Sequence, residues 1–200
     1  MDRSSQTPQT ITRHSTGLEQ FLSYIRDETG LKLLDLGGAN QENITYITQL
    51  GHKLFAEDPI RALRQGGDQV PTEPLHPAEI DAFLQQNLDY PDDFFDGVLL
   101  WDVLEYLEPR LLGAVLDRLR HIVKPHSCLM GVFRAQDKTS RSPFYSYRIA
   151  DTKTRVLSQR GLLEPVQAFN NRNLEKLFQG FETVKFFLSR DGLRDVIVRR

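Results

Sequence analysis

Short apolar runs alternating with helical patterns constrain this chain more than any other feature. Leu31 to Leu36 (LKLLDL), Phe94 to Trp101 (FFDGVLLW) and Ser127 to Arg134 (SCLMGVFR) are too continuously apolar for strands with one wet face. They suit strands buried on both sides. Between and around them lie amphipathic segments. Leu18, Phe21, Leu22 and Ile25 recur at helical spacing, predicting a helix near 16 to 29 that stops at Gly30. Glu42 to Leu50 reads as a helix, His52 to Ala56 as a short strand and Ile60 to Gln65 as a further helical turn or two. Leu112, Val115, Leu116, Leu119 and Val123 form one stripe of a helix entered through Pro109 and ended by Lys124-Pro125. Parallel neighbours need crossover connections, so this alternation predicts a parallel sheet with helices on both faces.

The tail breaks the alternation. After a helix over Asn171 to Phe178, two strands, Phe181 to Ser189 and Leu193 to Arg199, read as a hairpin turning at Asp191-Gly192. A hairpin appended to a parallel sheet brings one reversed strand to its edge. Three segments resist this scheme. Residues 1 to 15, rich in Ser, Thr and Gln, read as a loose arm. Ile80, Phe83 and Leu84 fit a helix, whereas Ile80, Ala82 and Leu84 fit a strand. Residues 136 to 170 read as an inserted lid on one domain spanning 1 to 200, too small to be a domain of its own.

Composition removes several classes. With 25 basic against 27 acidic residues, the chain has no charge excess to attract a polyanion, so nucleic acid is not expected as a partner. Cys128 is the one cysteine, and His14 and His126 lack metal-ligand neighbours at useful spacing; neither a disulfide nor a metal site is expected. Met1 to Thr16 has no apolar stretch of signal-peptide length, and no run approaches the ~20 residues of a membrane span. A reducing, cytoplasmic setting is the expectation.

In an open parallel sheet, ligands bind beyond the carboxyl ends of the strands. The first such end carries Asp35-Leu36-Gly37-Gly38-Ala39-Asn40, whose small residues let a ligand approach the backbone. The second carries Glu57 and Asp58, and a carboxylate there can accept both hydroxyls of a ribose; Glu57 follows Gly37 by 20 residues, the spacing of a nucleoside-binding βαβ unit. The competing reading makes Gly37-Gly38 a simple turn and Glu57 a solvated loop residue. A nicotinamide-dependent oxidoreductase would share these features but lacks G-x-G-x-x-G.

The third strand end narrows the choice. The stretch from Phe95 to Leu107 (FDGVLLWDVLEYL), the helix after it and Lys124-Pro125 closely resemble the fourth-strand region of class I S-adenosylmethionine-dependent methyltransferases, where FD-V---DVLEHL precedes a helix and LKPGG. With DLGGAN and the closing hairpin, the resemblance covers roughly residues 31 to 134 and 171 to 200. It implies a Rossmann-like α/β sheet of about seven strands, mostly parallel with one antiparallel edge strand, and S-adenosylmethionine as cofactor. By position, Asp35, Gly37, Gly38, Ala39 and Asn40 would line the methionine end, Glu57 with Asp58 beside it would hold the ribose, and Asn87-Leu88 would meet the adenine. That last assignment makes the ambiguous stretch before Asn87 a strand. Trp101 and Asp102 would face the methyl group, while Leu104 and Leu107 read as core.

The chain departs from the family pattern at Ala39 and Gln41, where the second and third glycines stand, at Tyr106, which replaces the histidine of DVLEHL, and at His126-Ser127, which replaces the final glycines. These departures motivate a second function: a degenerate fold that binds a partner without catalysis. In the enzyme reading, methyl transfer to a small molecule is an in-line displacement, and Asp102 and Tyr106 are the candidate bases. Their alternatives are a helix cap for Asp102 and a packed aromatic for Tyr106. Arg134, Arg141, Tyr145, Tyr147 and Arg148 fall where the family places acceptor-binding insertions, and the alternative there is a solvated, charged lid.

Overall fold

The computed structural model describes residues 10–64, 67–135, 141–189 and 192–200. The expected turn residue Asp191 and the start of the lid, 136–140, lie outside them. Six strands form the main sheet: β2 (Lys32–Asp35), β3 (Lys53–Ala56), β4 (Phe95–Trp101), β5 (Val123–Arg134), β8 (Thr183–Leu188) and β9 (Leu193–Arg199). Their order is β3-β2-β4-β5-β9-β8. The first four are mutually parallel, and β9 is antiparallel to both β5 and β8. The reversed strand therefore sits one place inside the edge, and β8 takes the edge itself.

Side-chain alternation along each central strand feeds two separate cores. Leu34, Val98, Leu100, Leu129, Val196 and Val198 join one cluster, and Leu33, Leu99, Met130, Val132 and Ile197 the other. Onto the first face pack α3 (Pro59–Arg64), α4 (Pro77–Asn87), α5 (Pro109–Ile122) and α6 (Asn171–Leu177); onto the second pack α1 (Thr16–Ile25) and α2 (Gln41–Gln49). Both faces are dry, which is why these strands carry no polar row. The α/β, Rossmann-like class expected from the sequence is the one observed.

Two expectations are corrected. The stretch before Asn87 is α4 and not a strand. Pro77 occupies its first turn, Glu79 returns to the His76 N–H, and Phe83 and Asn87 are the side chains it buries. The main sheet consequently has six strands among the described residues. The second correction concerns the N-terminal arm, of which residues 1–9 lie outside the described residues. Thr10–His14 is strand β1, paired antiparallel with β7 (Thr154–Leu163), which in turn pairs with β6 (Ser142–Ile149). The expected lid is thus built largely of a β-hairpin, which β1 completes as a three-stranded sheet with order β1-β7-β6.

No helix among the described residues is long and apolar enough to cross a membrane. The chain leaves β2 in one direction to form β3 and returns to place β4 on its other side. The crevice at this switch of direction lies at the carboxyl ends of β2 and β4, where such sheets bind ligands.

Candidate functional site

Asp35 ends β2 and is fully buried beneath the crevice. Its Oδ1 accepts from the Gly37 N–H at 2.8 Å and the Trp101 indole N–H at 2.7 Å, and its Oδ2 accepts from the Asn43 amide at 2.9 Å. Burial pushes the Asp35 carboxyl up to about 6, and the same three donors pull against that rise. Asp35 thus fixes the glycine turn from within. Gly38, at φ +87°, donates to the Glu57 carbonyl at 2.9 Å; a Cβ there would lie 2.9 Å from Asp58 Oδ2. Asn40 caps α2 by accepting from the N–H groups of Glu42 and Asn43. Ala39 and Gln41, the two departures from the glycine pattern, are both exposed, and Gln41 bonds Thr45 one turn along. Neither side chain fills the turn.

Glu57 follows β3 and accepts from the Tyr90 hydroxyl at 2.5 Å. Asp58 caps α3 through the Arg61 N–H at 3.0 Å and accepts from Arg160 of β7 at 3.0 Å. The turn, Glu57, Asp58 and Trp101 are therefore neighbours. Asn87 and Leu88 are placed otherwise. At the end of α4 both are buried, and the Asn87 amide is spent on the Phe83 carbonyl at 2.8 Å. Tyr90, two residues beyond, is the side chain that reaches the Glu57 carboxylate.

Trp101 ends β4 at φ +48°, and its indole lies over Gly37, where a Cβ would meet Trp101 Cδ1 at 2.7 Å. The ring stacks on Tyr147 with centroids 4.9 Å apart and planes 5° from parallel. Asp102 is buried and makes no side-chain cap bond to the 3₁₀ turn Val103–Tyr106 that follows it. Its Oδ2 has no hydrogen-bond partner and lies 3.9 Å from Arg134 Nη2. Burial raises the Asp102 carboxyl to about 6 against the pull of Arg134 and a hydrogen bond from Tyr147. Tyr106 is fully buried, edge-on to Phe144, and its hydroxyl accepts from Arg134 at 2.6 Å. Leu104 and Leu107 are core, as read from the sequence.

The residues expected to bind an acceptor divide sharply. Arg134 is committed inward: its N–H and Nη1 serve the two oxygens of Glu105, and Nη2 also reaches the Pro143 carbonyl. Arg148 pairs with Glu42 at 2.9 Å, Tyr145 is half-buried, and Arg141 is exposed. The hairpin is strapped across the turn by Tyr147 on Trp101, by Arg160 on Asp58 and by Asn43, whose Nδ2 also donates to the Tyr147 carbonyl at 3.0 Å while its Oδ1 accepts from the Ile149 N–H at 2.8 Å. Asn43→Ala would orphan several of these buried groups, at about 1–3 kcal/mol each. A urea titration is expected to show a loss of about 2–4 kcal/mol; a loss below 0.5 kcal/mol would contradict the strap.

Asn43, Tyr90 and Arg160 were not legible as neighbours of the turn. Asn43 carries a local signal, being a polar residue on the inner face of the first turn after a glycine loop. The others are brought in by long-range packing alone.

The fold, the switch-point crevice and the acid that follows the second parallel strand are the features of an α/β domain that binds a nucleotide cofactor. The sequence matches a family described as a methyltransferase domain over residues 10–184, and the chain belongs to that S-adenosylmethionine-dependent methyltransferase family. No curated protein matches it. Among solved structures, a SAM-dependent methyltransferase from Archaeoglobus fulgidus is 14% identical with a TM-score of 0.53, covering 92% of this chain and 91% of that one. One from Methanosarcina mazei is 15% identical with a TM-score of 0.51, covering 90% and 96%. Both share the fold.

Proposed function

We propose that this chain transfers the methyl group of S-adenosylmethionine to a small-molecule acceptor held beneath the hairpin. The observation that carries the reading is the convergence of the glycine turn, Glu57 and Trp101 at one switch point, with the buried Asp102 next in the chain. The residues fit such a cofactor. Gly37 and Gly38 present bare backbone at the crevice, against Trp101, Asp35 and Asp58, and Glu57 has an oxygen beyond the one that takes Tyr90 to offer a ribose hydroxyl. Bound there, the cofactor supplies an electrophilic methyl on a sulfonium whose thioether leaves readily.

What the chain adds is placement, dryness and a proton acceptor. Asp35 holds the turn, Trp101 and Tyr147 exclude water above it, and Asp102 takes a proton from the acceptor at Oδ2. Burial holds Asp102 near 6, so it is ionised at neutral pH and still able to accept a proton. Tyr106, with its hydroxyl held by Arg134 and its pKa pushed well above the usual phenol, positions Arg134 and is not the base. Of the residues expected to meet an acceptor, Arg141 is exposed and Tyr145 half-buried.

A second reading, a partner-binding module, is favoured by one observation: the Trp101–Tyr147 stack covers the turn. Calorimetry with S-adenosylmethionine and S-adenosylhomocysteine separates the two. The enzyme reading predicts saturable binding of both, and no binding of either at millimolar ligand would exclude it. Membership of the methyltransferase family sets the nicotinamide reading aside.

A further inference from the structure

Glu57, the acid expected at the ribose, is held from two sides. Its N–H donates to the Asp35 carbonyl and its carbonyl accepts from the Gly38 N–H, each at 2.9 Å, so the glycine turn fixes its backbone. Its carboxylate is fixed by another part of the chain. The Tyr90 hydroxyl donates to Oε1 at 2.5 Å, the length of a charge-assisted O–H···O⁻ bond, while Oε2 has no partner among the described residues. Asp58, next in the chain, lines a cavity of about 790 Å³ between α3 and the hairpin, so the half-buried Glu57 stands beside open space.

Tyr90 is itself firmly placed. Its ring lies edge-on to Phe55 and Phe95, with centroids 5.9 and 4.8 Å away, and stacks on Phe94 at 5.8 Å. Arg118 of α5 pins the loop that carries it: Nε donates to the Leu88 carbonyl at 3.1 Å, Nη2 to the Tyr90 carbonyl and Nη1 to Asp92 Oδ1 at 3.2 Å. Burial and the Glu57 carboxylate hold the Tyr90 phenol above its ordinary value, so it remains a donor at neutral pH. The aromatic cluster needs only the ring, which phenylalanine would supply. Packing therefore leaves the hydroxyl unexplained.

We propose that Tyr90 is a positioning residue for cofactor recognition, setting the plane of the Glu57 carboxylate so that Oε2 meets the ribose hydroxyls, with Arg118 fixing the loop behind it. This rests on the methyltransferase reading above, with Glu57 at the ribose, and adds the side chains that make that acid selective. A glutamate side chain has rotamer freedom to lose on binding, and one already oriented loses less. The gain belongs to the ligand's hydroxyls, so a ligand without them does not receive it.

Calorimetry with S-adenosylhomocysteine and with its 2′,3′-dideoxy analogue, which lacks both ribose hydroxyls, tests this on the wild type and Tyr90→Phe. The wild type is expected to prefer S-adenosylhomocysteine by about tenfold or more. Tyr90→Phe is expected to bind S-adenosylhomocysteine about fivefold more weakly and the analogue within about twofold of wild type, so the preference shrinks. A role in packing alone would weaken both ligands equally. A folded Tyr90→Phe with the wild-type ratio of affinities would therefore overturn the proposal. Arg118→Lys keeps a cation on α5 but lacks the donors that pin the loop, and it is expected to narrow the ratio in the same direction. It decides by the same criterion where Tyr90→Phe does not fold. A wild type with no preference, or with no affinity for S-adenosylhomocysteine, would instead strike the placement of the ribose at Glu57 and the proposal with it.

Discussion

Asp102→Asn is expected to lower methyl transfer by about 10²–10⁴-fold while leaving the binding of S-adenosylhomocysteine within a few-fold of wild type. The rate is read as S-adenosylhomocysteine released in the presence of an acceptor. The substitution is nearly isosteric, and Asp102 caps nothing, so the fold loses little. What disappears is the proton acceptor. In the wild type the rate is expected to rise with pH through about 6, the value to which burial raises Asp102, and to level off above it. Stability should move the other way. Asp102 and Asp35 both hold their proton more tightly folded, near 6, than at the ordinary carboxyl value of 3.8. The folded state therefore takes up protons that the unfolded chain does not, and stability rises as pH falls from above 6 toward about 4. The melting temperature of Asp102→Asn should show a weaker rise over that window. A variant that retains more than a tenth of the wild-type rate would remove Asp102 from the chemistry.

The largest effect on stability is expected from Asp195→Ala. It strips the counter-charge from Arg155, which is fully buried, and removes the acceptor used by Ser15 Oγ and the Gly17 N–H at the start of α1. Breaking a buried pair from one side leaves an uncompensated charge, at about 3–5 kcal/mol. The same cluster ties three parts of the chain together: Ser15 at the end of β1, Arg155 on β7 and Asp195 on β9. The three-stranded sheet should loosen as a unit. An exposed pair provides the contrast, since Glu19–Lys153 at 3.1 Å joins α1 to the turn before β7 from the solvent side. Glu19→Ala is expected to cost under about 1 kcal/mol. Equal losses in the two variants, by urea titration, would mean that the buried cluster has no special weight.

The main sheet was legible because its strands are buried on both faces, and continuous apolar runs such as Phe95–Trp101 have few other uses in a chain of this size. Helix α5 was legible for the complementary reason: its stripe, its proline entry and its stop all agree. The region from Ile80 to Leu88 was not, because Ile80, Phe83 and Leu84 fit a helix while Ile80, Ala82 and Leu84 fit a strand, and the family resemblance pulled the choice toward a strand. Pro77 and the Glu79 return bond are local helix signals that decide it. The N-terminal arm and the lid misled for a different reason. β1, β6 and β7 are amphipathic strands whose inner faces find partners only across the whole chain, as Ile11 does opposite Leu157. Polar outward positions made them look like loops.

Site legibility followed the same division. Asp35, Gly37, Gly38, Glu57 and Trp101 sit at strand ends, where position alone implies exposure to a ligand crevice, and the structure brings them together. Arg134 and Arg148 carry the right charge but are spent on Glu105 and Glu42. No property of an arginine in sequence tells which carboxylate it will meet. Arg155 is the inverse case, a charge in an ordinary polar strand that the fold buries completely.

Trp101 is the chain's one tryptophan, and its ring lies against both Gly37 and Tyr147, at the centre of the proposed cofactor site. Its fluorescence during a titration with S-adenosylhomocysteine is the most direct test. Binding at the glycine turn must shift the indole off Gly37 and disturb its stack, so the emission should change saturably, with the same dissociation constant that calorimetry gives. Binding seen by calorimetry with no change in Trp101 emission would place the cofactor elsewhere and contradict the assignment of this crevice.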